Sequence, residues 1–285
     1  MERKIKLVLA GTGTFSSKIF KSLIDNENFE VLALVSQPNN KLDRNKQPIL
    51  TEVAKLAYEN NIKLFQPAKI KEVYDELAAL DMDFFITASF GQFIPNSVLK
   101  LPKIMPLNVH GSLLEKYRGA APVQYAFLNN DDKTGITLIE MVDKMDAGDM
   151  LGKAEVKIEK DDTALEIFDK LANVTVKNLP KWLNNIYSNN YIREMQDESK
   201  VTFAPKIPNE MAEIFATNTC DEALAKIRAF NDQPGAFIMQ NNKRLKIFRA
   251  TKDKVKTPLN IKFSDGILYL TEYQFEGKKK ISHEI

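Results

Sequence analysis

Over the first two-thirds of the chain, short apolar runs alternate with segments whose apolar residues recur at helical spacing. Residues 5–10, 29–36, 84–89, 106–110, 137–141 and 150–158 predict strands, with a shorter one at 62–65. Residues 16–24 predict a helix that gathers Ile19, Phe20, Leu23 and Ile24 on one face, and 50–58 and 73–80 predict two more. Alternation of β and α units at this length predicts an α/β, doubly wound (Rossmann-like), mostly parallel sheet. Thr163 and Glu166 have capping-box spacing, opening a helix that runs to about residue 186 with a break at Pro180. Polar stretches at 188–190 and 196–199 then read as a linker.

Beyond the linker the pattern changes. A helix at 221–230 precedes short strands at 237–239, 244–250, 259–263 and 267–270, with turn signals at Asn241-Asn242 and Asp265-Gly266. This predicts a small, mostly β, OB-like barrel. The expected division is therefore a catalytic domain at 1–188, a linker at 189–203 and a barrel domain at 204–285.

A hydrophobic fraction of 44% supports a substantial core, and no apolar run is long enough to span a membrane. The N-terminus leads straight into the first strand without a cleavable signal pattern. One cysteine excludes an internal disulfide framework and fits a reducing cytoplasm. With only two histidines besides, zinc or another metal is not expected. The net charge of +2 conceals an asymmetry. Residues 200–285 hold 15 Lys/Arg against 10 Asp/Glu, and 243–262 hold eight basic residues against Asp253 alone. That field suits a polyanion such as RNA; from charge alone it more commonly marks a solvated lysine-rich surface.

The chemistry centres on Asn108-Val109-His110. In a strand, residues i and i+2 face the same side, about 7 Å apart, so Asn108 and His110 point together. His283 sits near the C-terminus, which leaves His110 as the candidate imidazole for acid–base work. Asp146, in the turn Asp146-Ala147-Gly148-Asp149, follows one strand and precedes another, where its carboxylate can hold the imidazole's tautomer and stabilise its cation. Ser112 has no nucleophile-elbow context and Cys220 belongs to the other domain. The set suits a substrate-borne nucleophile: an amine attacks an acyl carbon, Asn108 steadies the oxyanion and His110 handles the proton. Gly11-Thr12-Gly13 after the first strand invites a dinucleotide reading. Ser16 stands where the third glycine belongs, and Ser36-Gln37 where an acid belongs, so a tight turn at the sheet edge fits better.

Asn108-Val109-His110-Gly111-Ser112-Leu113-Leu114, Tyr117-Arg118-Gly119-Ala120-Ala121-Pro122, Thr134-Gly135-Ile136-Thr137 and Asp146-Ala147-Gly148-Asp149-Met150-Leu151 together resemble the folate-dependent formyltransferases. Phe203-Ala204-Pro205-Lys206-Ile207 and Ile227-Arg228-Ala229-Phe230-Asn231 bring the resemblance closest to the branch acting on methionyl-tRNA. The resemblance implies transfer of formyl from 10-formyltetrahydrofolate to the methionine amino group of initiator methionyl-tRNA, by a cytoplasmic monomer without a metal. It implies that Asn108, His110 and Asp146 are catalytic, that Ser112, Leu113, Leu114 and Glu115 contact folate, and that Phe90, Gly91, Gln92, Phe93 and Ile94 line the pterin pocket through backbone groups. Arg44 and Lys46 would meet the acceptor end of the tRNA, and Lys206, Lys243, Arg244 and Lys246 its body. The family usually has proline at the positions of Gly13 and Glu115, and Glu115 adds a charge near the folate tail. An amino-sugar nucleotide formyltransferase would share the site without needing the basic run, and a non-catalytic RNA- or folate-binding relative would not need Asn108, His110 and Asp146.

Overall fold

The computed structural model describes residues 3–283. Its first sheet is built from β1 (Ile5–Gly11), β2 (Phe29–Val35), β5 (Leu64–Phe65), β6 (Phe84–Ala88), β7 (Met105–His110), β8 (Lys133–Glu140) and β9 (Met150–Lys157). The order is β5-β2-β1-β6-β7-β8-β9. Pairing is parallel from β5 through β7, and β8 runs antiparallel to β7. Central strands of such a sheet are covered on both faces, which is why 5–10 and 84–88 read as apolar runs interrupted only by Lys6 and Thr87. All five residues of β6 are buried. In β7 every residue is buried except Asn108.

The helices of this part are α1 (Thr14–Ile24), α2 (Glu52–Glu59), α3 (Tyr74–Ala78) and α4 (Asn96–Leu99). Two helices followed, α5 (Pro122–Leu128) and the long α6 (Ala164–Tyr187). The single helix expected at 73–80 is a 3-10 turn, Ile70–Val73, running into the five-residue α3. Pro180 does not break α6; a lost N–H and a ring clash are tolerated where the flanking turns are packed. Leu171, Leu179, Leu183 and Ile186 are buried on one side of it. The basic segment around Arg44 is a small hairpin of β3 (Lys41–Leu42) and β4 (Pro48–Ile49). Its turn is closed by Asp43 Oδ1, which accepts from the Asn45 and Gln47 N–H groups at 2.8 Å each.

The glycine turn after β1 shows why this is not a dinucleotide fingerprint. A Cβ on Gly11 would lie 2.4 Å from Ser16 Cβ and 2.8 Å from the Ala88 carbonyl. Ser16 Oγ uses that space, donating to the Ala88 carbonyl at 2.5 Å and accepting from Thr12 N–H at 3.2 Å. The third-glycine position thus ties the ends of β1 and β6 together. Gly13 has open space around it and an ordinary φ of −97°.

The second sheet is antiparallel. It comprises β10 (Ala236–Gln240), β11 (Lys243–Thr251), β12 (Asn260–Lys262), β13 (Ile267–Phe275) and β14 (Ile281–Ser282), in the order β10-β11-β13-β12 with β14 also on β13. It curls around α7 (Cys220–Ala229), whose start is fixed by a reciprocal capping box between Thr219 and Glu222. The expected barrel is therefore a curled half-barrel. Strand β13 is longer than expected because Glu272 and Gln274 alternate with buried Thr271 and Tyr273, continuing a period of two past the apolar run.

Packing groups residues 1–120, 135–156 and 169–203 as one compact unit and 121–134, 157–168 and 204–285 as a second. A single cut after residue 188 would have left 121–134 and 157–168 with the first. The second unit joins them through Arg228, whose guanidinium stacks 4.8 Å from the Phe127 ring and donates to the Asp162 carbonyl at 2.7 Å. The segment expected as a linker, 189–203, packs on the first unit.

Candidate active site

Strand β7 delivers Asn108 and His110 to one face at its carboxyl end, and the turn between β8 and β9 delivers Asp146. Asn108 Nδ2 donates to Asp146 Oδ1 at 3.2 Å, while its Oδ1 accepts from Thr87 Oγ1 at 2.8 Å. Thr87 is the register partner of Asn108 on β6. A carboxylate only accepts, so these two partners fix which end of the amide points where. The second Nδ2–H has no acceptor among the described residues.

His110 is 4% exposed. Its Nε2 lies 2.9 Å from the Tyr117 carbonyl. A carbonyl cannot donate, so Nε2 carries the proton and Nδ1 is the open nitrogen. Nδ1 stands 3.6 Å from Asp146 Oδ2, beyond hydrogen-bond reach. This corrects the role expected for Asp146: the Tyr117 carbonyl sets the tautomer. The carboxylate holds Asn108 and faces Nδ1 as a counter-charge. Asp146 Oδ2 also accepts from Gly119 N–H at 2.9 Å. Asp146 and Tyr117 have φ of 52° and 67°, a left-handed backbone that costs about 1–3 kcal/mol each and needs surrounding contacts to hold it.

The expected folate loop divides. Ser112 is fully buried and donates to the Lys116 carbonyl at 2.7 Å, which removes its hydroxyl as a nucleophile and as a direct ligand group. Leu114 packs with Ile139 and Met150, and its N–H donates to Thr137 Oγ1 at 3.1 Å. Leu113 and Glu115 are part-exposed. The Glu115 carboxylate accepts from Asp197 N–H at 2.5 Å, so its extra charge is engaged within the fold. In the second loop the Phe90 carbonyl accepts from Thr12 Oγ1 and Gln37 Nε2, both at 3.1 Å. Gln92 is anchored by Ile70 N–H at 2.7 Å and the Pro67 carbonyl at 3.0 Å, and Ile94 packs on the core. Gly91 (φ 80°) and Phe93, 76% exposed, face solvent. Phe90, Gln92 and Ile94 are thus turned inward, while the Phe93 side chain and the backbone around Gly91 stay open to a ligand.

Of the expected cationic contacts, Arg44 and Lys46 project from the β3–β4 turn, and Lys206, Lys243 and Arg244 are exposed. Lys246 is not free: its ammonium donates to the Pro234 carbonyl at 2.7 Å. Arg249 pairs with Glu166, and Lys252 with Asp221 at 2.6 Å. Among the described residues, Lys243, Arg244, Lys254, Lys256 and Lys262 are thus exposed without an ion pair.

Sequence reasoning missed Thr87, the Tyr117 carbonyl, the Gly119 N–H and the segment after α6. In that segment Gln196 Nε2 donates to the carbonyls of Asp146 and Gly148 at 2.7 and 2.8 Å. Arg118 and Lys144 both reach Glu198 at 2.8 Å and hold its carboxyl down to about 2. A polar residue in an otherwise apolar strand was the one available signal, for Thr87.

The profile of the family described as "Formyl transferase" matches residues 3–183, and that of "Formyl transferase, C-terminal domain" matches 206–284. The chain is 44% identical over 278 residues to methionyl-tRNA formyltransferase of Mycoplasmopsis pulmonis, covering 97% of this chain and 96% of that one. Its fold resembles methionyl-tRNA formyltransferase from Clostridium thermocellum, with a TM-score of 0.67 at 16% identity over 95% of this chain and 98% of that one. It also resembles HypX from Aquifex aeolicus in complex with tetrahydrofolic acid, with a TM-score of 0.71 at 19% identity; 98% of this chain corresponds to 46% of HypX. At these identities the two structures bear on the fold alone.

Proposed function

Since the chain belongs to the formyl transferase family, and within it to the methionyl-tRNA formyltransferases, we propose that it moves formyl from 10-formyltetrahydrofolate to the methionine amino group of charged initiator tRNA. The observation that carries the mechanism is the Asn108–Asp146–His110 cluster, beside which the described residues offer no free nucleophile: the Thr87 hydroxyl is spent on Asn108 Oδ1. Ser112 is buried and bonded, and Cys220 is buried in the second unit, where burial pushes its thiol up. The nucleophile is then the substrate's own amine. Its nitrogen attacks the formyl carbon. The second Nδ2–H of Asn108 meets the oxygen as it becomes an oxyanion. The proton lost by the amine goes to Nδ1 of His110, the nitrogen left open by the Tyr117 carbonyl. The carboxylate 3.6 Å away stabilises the resulting imidazolium. The bond from the formyl carbon to N10 breaks, its electron pair returns to N10, and the proton follows it there. No formyl-enzyme bond forms.

The part-exposed residues of 112–115 and the backbone of 91–94 form the folate side of this site. Arg44 and Lys46 approach the acceptor end of the tRNA, and Lys206, Lys243 and Arg244 its body. One assay tests the reading: purified protein with 10-formyltetrahydrofolate, offered methionyl initiator tRNA beside an amino-sugar nucleotide. Formyl on the methionine amine is the expected product. Formylation of the sugar alone overturns the acceptor assignment.

A further inference from the structure

Asp146 sits in a turn held in left-handed backbone, with its carboxylate shared among three partners. The strand pairing of β8 and β9 does not by itself fix such a turn. The fixing group comes from the segment after α6, which composition reads as a tether. The Gln196 amide reaches in and bonds the carbonyls on both sides of Ala147, those of Asp146 and Gly148. Its own oxygen accepts from Arg118 Nε at 2.9 Å. Two carbonyls can only accept and a guanidinium can only donate, so the amide has one allowed orientation.

Arg118 is 1% exposed, and its Nη1 has no acceptor among the described residues. A buried guanidinium with an unsatisfied nitrogen is a poor stabiliser, so its place here asks for another role. Its neighbours supply one. Tyr117 carries the carbonyl that sets the His110 tautomer, and Gly119 carries the N–H on Asp146. The segment after α6 is itself pinned: Glu194 and Met150 exchange backbone bonds of 3.0 and 2.8 Å, and Thr202 Oγ1 accepts from Tyr117 N–H at 3.0 Å.

We propose that Gln196, oriented by Arg118, is a positioning residue for formyl transfer: it sets the place of Asp146 and, through it, of Asn108. It touches no reacting atom. The inference rests on the catalytic reading of Asp146, and the test separates the two.

Formyl transfer to methionyl-tRNA is measured for the full-length protein and for Gln196→Ala, Gln196→Glu, Asp146→Ala and the double Asp146→Ala/Gln196→Ala variant, each checked for native melting. Gln196 is part-exposed, so truncation leaves the core intact. Gln196→Ala is expected to lower kcat about 10- to 100-fold, the cost of an ångström-scale misplacement, with KM for tRNA and folate within about twofold. Gln196→Glu keeps an acceptor for Arg118 and sets a carboxylate against two carbonyls, so it is expected to be at least as slow as Gln196→Ala. A residue that merely satisfies Arg118 would tolerate that change. In the Asp146→Ala background, loss of Gln196 is expected to cost no further factor beyond about two. A near wild-type Gln196→Glu, or a Gln196→Ala loss that multiplies with Asp146→Ala, overturns the positioning role alone. A near wild-type Asp146→Ala overturns the catalytic reading as well.

Discussion

Gly148 offers the sharpest structural perturbation of the site, because it touches no candidate catalytic atom. A Cβ placed there would lie 1.8 Å from the Glu140 carbonyl oxygen and 2.9 Å from its carbon. Ordinary contact begins near 3.4 Å, so Gly148→Ala must separate the turn from β8 by roughly 1.6 Å, the shortfall in that contact. The backbone of β8 has little room to yield, since it is paired with the buried strand β7, Glu140 opposite Leu107. The turn moves instead, and Asp146, two residues upstream, moves with it. An error of about 1 Å in a reacting group costs on the order of 100-fold in rate, and overpacking of this kind costs about 1–3 kcal/mol of stability. Steady-state formylation should therefore show kcat down about 100-fold with a folded protein a few degrees less stable. Gly13→Ala is the control, with open space and φ −97° at that position; it should change neither quantity. A folded Gly148→Ala enzyme with kcat within threefold of wild type would refute the claim that activity depends on where this turn holds Asp146.

Removing the Thr87 hydroxyl by Thr87→Val deletes one buried hydrogen bond to Asn108 Oδ1. About 1–1.5 kcal/mol of orientation is lost, read as a kcat roughly tenfold lower with tRNA KM unchanged. Combining Lys243→Ala with Arg244→Ala should raise the KM for methionyl-tRNA and lower the slope of log KM against log salt by about two, one for each phosphate contact; an unchanged slope removes these residues from tRNA binding. Glu198 should make stability pH-dependent. Arg118 and Lys144 lower its carboxyl from 4.5 to about 2, so its contribution is complete above pH 4.5 and is lost as pH falls towards 2. Melting temperatures across that window should fall less steeply for Glu198→Gln than for wild type, and parallel curves would contradict the tie.

The sheet was legible because its central strands are covered on both faces and read as nearly continuous apolar runs. The antiparallel sheet followed from period-two alternation between turn signals. Elements that failed to show were those set by tertiary contact. Pro180 reads as a helix breaker and is overridden by the packed face of α6, and the two-residue strands β3 and β4 are too short to carry a period. The site divides in the same way. Asn108 and His110 share a strand face by simple spacing, and the turn at 146–149 is visible in its glycine. The Tyr117 carbonyl and the Gly119 N–H are backbone groups, which leave no trace in residue type. Gln196 lies in a stretch whose polarity is that of a tether, and only the fold reveals that it returns to the site.

Direct attack by the tRNA's own amine, assisted by His110, is the claim on which the rest depends. Its most direct test is the single-turnover rate of formyl transfer from 10-formyltetrahydrofolate to methionyl-tRNA, with both substrates saturating, for wild type and His110→Ala. General acid–base assistance is worth about 100- to 10,000-fold. The chemical step of a folded, folate-binding His110→Ala protein should be slower by at least the lower figure. A rate within threefold of wild type would contradict the mechanism outright.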